Sequence, residues 1–214
     1  MSKHVLLSAL ALAAVAGHPA PAHAVNPNQL VGNCAVHATA SCLGDPVGFN
    51  GKLQALNPSE SYISRYTTSG VVTFNPPTSN SPTGLITGTE TRDETVRTDT
   101  VPASPLYTSL LPNMALGTFS DTGVATYQIE QGSDTITVTF QNEVGSIVEG
   151  PRAGETSTID SFETTGYVSA DGKTIVLTSP DNTVEHITYS GGGLTAPQTF
   201  ARLCHRSTML VKIQ

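Results

Sequence analysis

Beyond residue 24, the residue types of this chain most able to do chemistry are three cysteines, Cys34, Cys42 and Cys204, and three histidines, His37, His186 and His205. The run Cys204-His205-Arg206 raises three options: a thiolate beside its base, a metal corner, or the end of a β-strand. Adjacent residues on a strand point to opposite faces, and a working thiol–imidazole pair is normally assembled from distant parts of a chain. That disfavours the nucleophile, and no catalytic residue is assigned. Cys34, His37, Cys42 and His205 would form a tetrahedral zinc set if the N-terminal segment docked on the last strand. Cys-x-x-His is a weak spacing signal, however, and oxidation competes for the same thiolates, so no metal or other cofactor is expected. "CAVH" also lacks the second cysteine and following histidine of a c-type haem site.

In an oxidising compartment three cysteines imply one disulfide and one thiol. If residues 34–42 were helical, Cys34 and Cys42 would lie about 12 Å apart, too far to bond. One of them would then pair with Cys204. If the segment is a loop, Cys34–Cys42 is the easy local pair. A bond to Cys204 closes the longer loop and restricts the unfolded chain more, so it is favoured. All three cysteines are disulfide candidates, and Cys204-His205-Arg206 is read as a strand end.

Other constellations are thin. "GTETRDETVRTD" (residues 88–99) places Glu90, Arg92 and Glu94 on one face of a strand and Asp93 and Arg97 on the other. Paired carboxylates could do acid–base work there, but mixed charges of this kind read first as a solvated strand with cross-strand ion pairs. His186 shares a face with Val184 and Thr188 and reads as a satisfied or exposed strand histidine. No phosphate loop, nucleophile elbow or paired His-Glu metal motif occurs.

The first 24 residues supply the context. Lys3 and His4 precede an apolar run from Val5 to Gly17, and Ala22-His23-Ala24 gives the small-x-small pattern of signal-peptidase cleavage. The run is shorter than the roughly 20 residues a membrane span needs. The chain therefore divides into a signal peptide (1–24), an N-terminal arm carrying Cys34 and Cys42 (25–60) and a main domain (61–214), with a secreted or periplasmic destination. Without Lys3, 17 acidic residues face nine basic ones, a net charge of −8. Nucleic acid and anionic membranes, which need clustered Lys and Arg, are excluded as partners.

The elements that would carry these residues are strands. Thirty threonines, six aromatic-ring tyrosines, six phenylalanines and no tryptophan suit a sheet with one wet face, because Thr is β-branched yet tolerates water. Ile136, Val138 and Phe140 alternate with Thr135, Thr137, Thr139 and Gln141. Lys173 to Ser179 is a continuous β-branched run, and Met209, Val211 and Ile213 alternate with Thr208, Leu210 and Lys212. Turn signals fall at Gln131 to Asp134, Glu149 to Gly154, Ser169 to Lys173, Ser179 to Asn182 and Ser190 to Gly193. Asp171-Gly172 is the strongest of them. Earlier strands are expected at Val71 to Phe74, Gly84 to Thr98, Leu116 to Phe119 and Val124 to Gln131. "SPLYTSLLP" (104–112) has the caps of a short helix that could cover a barrel mouth. The expected fold is all-β, an antiparallel up-and-down barrel of about eight to ten strands, with a two-sheet sandwich as the alternative. A transmembrane barrel is disfavoured by threonines on the outward faces and the lack of Trp girdles.

This layout, from about Val71 to Ile213, resembles the lipocalin-like or calycin-like secreted barrels and the allene-oxide-cyclase-type barrels. The Gly-x-Trp signature of lipocalins is missing, so no family residue carries over. The resemblance implies a small hydrophobic molecule held in the barrel, with Phe74, Tyr127, Ile136, Val138, Phe140 and Phe162 as inward candidates to line its site. Non-catalytic binding ranks first. An extracellular structural or adhesive subunit, or a cyclase-type enzyme, are the alternatives.

Overall fold

The structure is a computed structural model that describes residues 24–78, 83–97, 115–180 and 183–213. The expected signal peptide, except Ala24, and the helix expected at 104–112 lie outside the described residues.

Among the described residues a single 3-10 turn, Pro27–Gln29, precedes ten strands: β1 (Gly32–Asp45), β2 (Tyr62–Phe74), β3 (Thr83–Arg97), β4 (Ala115–Ile129), β5 (Thr135–Glu149), β6 (Glu155–Ile159), β7 (Phe162–Val168), β8 (Thr174–Thr178), β9 (Val184–Gly191) and β10 (Gln198–Lys212). All pairings are antiparallel. The first half of β5 pairs with β7 and its second half with β6. β10 pairs likewise with β9 and then β8. β6 and β7 are thus two halves of one stave, and β8 and β9 are two halves of the next. Ten strands make eight staves in up-and-down order, and β1 against β10 closes the ring. Closure pairs every described strand on both sides, which removes the edges an open sheet would present. The barrel expectation holds over the sandwich.

The segment 25–60, expected as an arm, contributes β1, and the ring closes through it. The two strands expected at 116–119 and 124–131 are one strand, β4. Cys204-His205-Arg206, read as a strand end, lies instead in the interior of the single strand β10. Glycine at Asp171-Gly172 adopts φ +68°, as the tight turn requires. No described helix is long and apolar enough to cross a membrane.

Two strands depart from simple alternation in informative ways. On β5, Ile136 and Val138 are buried, but Asn142 takes a left-handed φ of 49° and the register with β4 shifts there. This bulge changes the phase, so Gly145 and Ile147, not the even-numbered positions, are buried beyond it. On β10 the apolar set Met209, Val211 and Ile213 is exposed, whereas Arg202, Cys204, Arg206 and Leu210 are buried. The expected apolar face of this strand is its outer face. A one-residue slip would turn every side chain over, and the groups that hold the phase are the buried ones.

Those groups sit between two apolar clusters. One is built on Val36, Val72, Phe74, Ile86, Tyr127, Ile136, Val138, Ile175, Leu177 and Leu210, and is capped by Val25 and Leu30. The other holds Tyr62, Phe119, Ile147, Ile159, Ile187, Tyr189 and Phe200. An eight-stave barrel is just wide enough for side chains to fill it, yet here the middle layer is charged.

Candidate ligand cavity and its charged wall

The middle layer is a chain of alternating charges drawn from four staves. Arg92 on β3 makes a two-pronged pair with Asp121 on β4, Nε to Oδ2 at 2.7 Å and Nη2 to Oδ1 at 3.2 Å. Its Nη1 donates to Glu94 at 2.7 Å and its Nη2 to Ser157 at 3.2 Å. Glu94 lies 3.8 Å from Arg202 Nη1. Arg202 donates to Glu185 on β9 through Nε and Nη2, at 3.0 and 2.7 Å. Arg206 donates to both oxygens of the same carboxylate, at 2.6 and 2.5 Å, and through Nε to the Tyr66 hydroxyl at 2.6 Å. Its guanidinium lies over the Phe162 ring at 4.1 Å, as Arg92 lies over Phe119 at 3.9 Å. Arg92 and Arg202 are 1% and 0% exposed, so these charges survive only because each has a partner.

The solvated strand expected at residues 88–99 is corrected by this arrangement. Glu90, Arg92 and Glu94 share a face as predicted, with Asp93 on the other, but Arg92 and Glu94 are fully buried and Glu90 is half-buried beside them. The outer side of the strand carries Thr89, Thr91, Asp93 and Thr95, and water is satisfied there. The charges turn inward because β4, β9 and β10 bring partners of opposite sign, which sequence spacing on one strand does not reveal.

Electrostatics follow from the pairing. Burial works against the Arg92 charge, but Asp121 and Glu94 outweigh it and raise its pKa above the ordinary value. Burial alone would raise the Glu185 pKa, but Arg202 and Arg206 reverse the effect and lower it. Two carboxylates escape this neutralisation. Burial, then Glu143 and Asp121, push Glu90 up to about 7 against the pull of Arg92. Glu143, behind the β5 bulge, is raised by burial and by Asp121, although Arg92 and Arg206 oppose this. No described hydrogen bond or ion pair engages either carboxylate.

Both line an internal cavity of about 60 Å³ between the first apolar cluster and the charged layer. Since a single water needs about 10–15 Å³ of such space, the cavity suits several waters or a small organic molecule. Its walls include Phe74, Val138, Phe140 and Phe162 on one side and Tyr66, Arg92, Arg206, Glu90 and Glu143 on the other. The Thr164 hydroxyl also lines it, buried and without a hydrogen-bond partner. A smaller recess of about 40 Å³ adjoins it, sharing Val72, Ile86, Glu90, Phe140 and Glu143. Gly88 and Gly123, directly paired across β3 and β4, are exposed at that recess. With no side chain at either inward position, the lining is open there.

Of the six residues expected to line a site, Phe74, Val138, Phe140 and Phe162 meet at the cavity, and Phe140 stacks on Phe162 at 4.5 Å. Tyr127 and Ile136 lie in the apolar cluster instead, with the Tyr127 hydroxyl donating to the Asn75 carbonyl at 3.0 Å. Of the polar half of the wall, the shared face of Glu90 and Arg92 was singled out in the sequence, whereas Tyr66, Glu143 and Arg206 were not. For Arg206 the signal is that it shares the parity of Cys204 on β10, legible only once that parity is known to be inward.

The cysteines resolve as Cys42–Cys204, joined directly across β1 and β10, with Cys34 a buried thiol. A bond to Cys204 was favoured, and the strand geometry of β1 explains why Cys34 and Cys42 do not pair. The imagined zinc set is split: Cys34 and Cys42 are buried, whereas His37 and His205 are exposed on the outer side. The sole described group of three convergent metal-ligand atoms is Glu185 with the two disulfide sulfurs, which lack thiolate charge for a metal while bonded. His186 is exposed and contacts Asp160 through Nδ1 at 3.0 Å.

No protein-family model matches the chain, and no curated protein is significantly similar to it. Among solved structures, the chain is similar to the crystal structure of Rv2717c from M. tuberculosis, with 13% identity, 87% of this chain and 94% of that chain covered, and a TM-score of 0.23.

Proposed function

We propose that the protein is a secreted or periplasmic, non-catalytic barrel that holds a small, largely apolar molecule in its interior, in the manner of lipocalin-like barrels. The carrying observation is the 60 Å³ cavity at the boundary between an apolar cluster and a charged layer, with Phe74, Val138, Phe140 and Phe162 on its apolar side. Binding sites of this kind combine apolar walls with a few placed polar groups. Ring closure also argues for binding over strand-exchange assembly, because every described strand already has two neighbours. The two arginines on the wall are held by carboxylates rather than poised for a reaction, which favours binding over a cyclase-type activity.

The test is a native mass spectrum of the protein purified from an exporting host, followed by NMR titration with small alcohols. A low-mass molecule that leaves on denaturation, or saturable shifts at Val138 and Thr164, supports the reading. A bare protein with no saturable shifts overturns it.

A further inference from the structure

We infer that the ligand of this cavity carries an ammonium group, received by Glu90, Glu143 and the Thr164 hydroxyl. The inference rests on the binding reading above and adds the chemical class of the ligand's head.

The argument is one of matching charges. In the middle layer the arginines Arg92, Arg202 and Arg206 are matched by Asp121, Glu94 and Glu185 through direct contacts. Glu90 and Glu143 are two carboxylates in excess of that balance. They face the cavity without a hydrogen bond or ion pair among the described residues. An acidic ligand would meet these two carboxylates while the arginines are already occupied. A cationic ligand supplies what the wall lacks.

A second, independent feature points the same way. Thr164 is 2% exposed, its Oγ1 has no partner, and it lines the same cavity. Buried hydroxyls are nearly always hydrogen-bonded, and an exception asks for an explanation. A primary ammonium has three N–H donors, and the wall offers three open acceptor groups: two carboxylates and one hydroxyl. A bare metal ion fits less well. Much of the lining is apolar, as an alkyl or aromatic amine would require.

The groups facing this pair set the pH response. Glu90 has Asp121 opposite it on β4, Glu143 on β5 and Arg92 on its own strand. Glu143 feels Asp121, Arg92, Arg206 and Glu185. The neighbouring arginines stay charged, and Glu90 changes state at about 7. An ammonium ligand binds the ionised form, so affinity rises as pH rises through that value.

The experiment is NMR titration of the purified protein with n-butylamine, 1-butanol and butyrate, compounds of similar size and different heads. Butylamine is expected to bind best and to tighten about tenfold between pH 6 and pH 8, as the ionised fraction of a group at about 7 does. Glu90→Gln and Glu143→Gln, neutral mimics of the protonated side chain, should each weaken butylamine at least tenfold at pH 8 while keeping a native, dispersed NMR spectrum. The retained spectrum shows that the variants are folded. If butanol or butyrate binds as tightly as butylamine, or if the two variants bind butylamine normally, the ammonium assignment is overturned while the cavity remains a binding site. If none of the three binds, the binding reading falls with it.

Discussion

Arg202 lies between Glu185, 2.7 Å from its Nη2, and Glu94, 3.8 Å from its Nη1, with its own side chain wholly buried. It joins the β3–β4 half of the charged layer to the β9–β10 half, so the barrel's opposite walls are tied through one guanidinium. Breaking such a link leaves uncompensated charge in the interior, which costs more than the intact pair contributes.

Arg202→Met should therefore destabilise the protein by about 3–5 kcal/mol in urea unfolding. Adding Glu185→Gln to Arg202→Met should not sum with it, since both remove parts of one network. Two additive losses would show that the pairs act independently.

Glu90 predicts a pH dependence whose sign is unusual for a carboxylate. Its folded pKa of about 7 stands above the ordinary value of 4.5, so between these pH values the native state binds the extra proton. Its contribution is fully present below about 4.5 and is lost as pH rises through 7. Glu90→Gln should stabilise the protein at pH 8, flatten stability between pH 5 and 8, and have little effect at pH 4. Chemical unfolding at these pH values checks it, and an unchanged slope would reject the assignment.

The disulfide spans 162 residues, so its loss releases a large unfolded-state loop. Cys42→Ala with Cys204→Ala should cost about 5 kcal/mol in the chain-entropy description. Cys34, 3% exposed, should be the one thiol that titrates, and only after denaturation. Rapid labelling of the native protein by a thiol reagent would contradict its placement.

Gly145 makes room for the Arg92–Asp121 pair. A Cβ there would lie 2.1 Å from Asp121 Oδ1 and 2.9 Å from Ser157 Oγ. Gly145→Ala should destabilise by about 1–3 kcal/mol, as overpacking does. Gly123→Ala, whose nearest neighbour would be Glu143 Cγ at 3.6 Å, should be tolerated. Equal melting temperatures for the two variants would refute the distinction.

Local chemistry along the chain was enough to settle the strand-rich class, the turn at Asp171-Gly172 and the face partition of β3, because alternation and turn residues act over a few residues. It was also enough to place four of the apolar cavity residues on inward positions. What the tertiary structure alone decided was phase and partnership. The Asn142 bulge turns Glu143 towards the cavity, and the inward pinning of Arg202, Cys204 and Arg206 sends Met209 and Val211 outward. Neither follows from hydrophobic period, because a buried charge is stable only beside its counter-charge, and those counter-charges come from other staves. Ring closure is what brings Glu185 and Arg202 on β9 and β10 up to Glu94 on β3, and so buries charges of a segment that alone reads as a solvated strand.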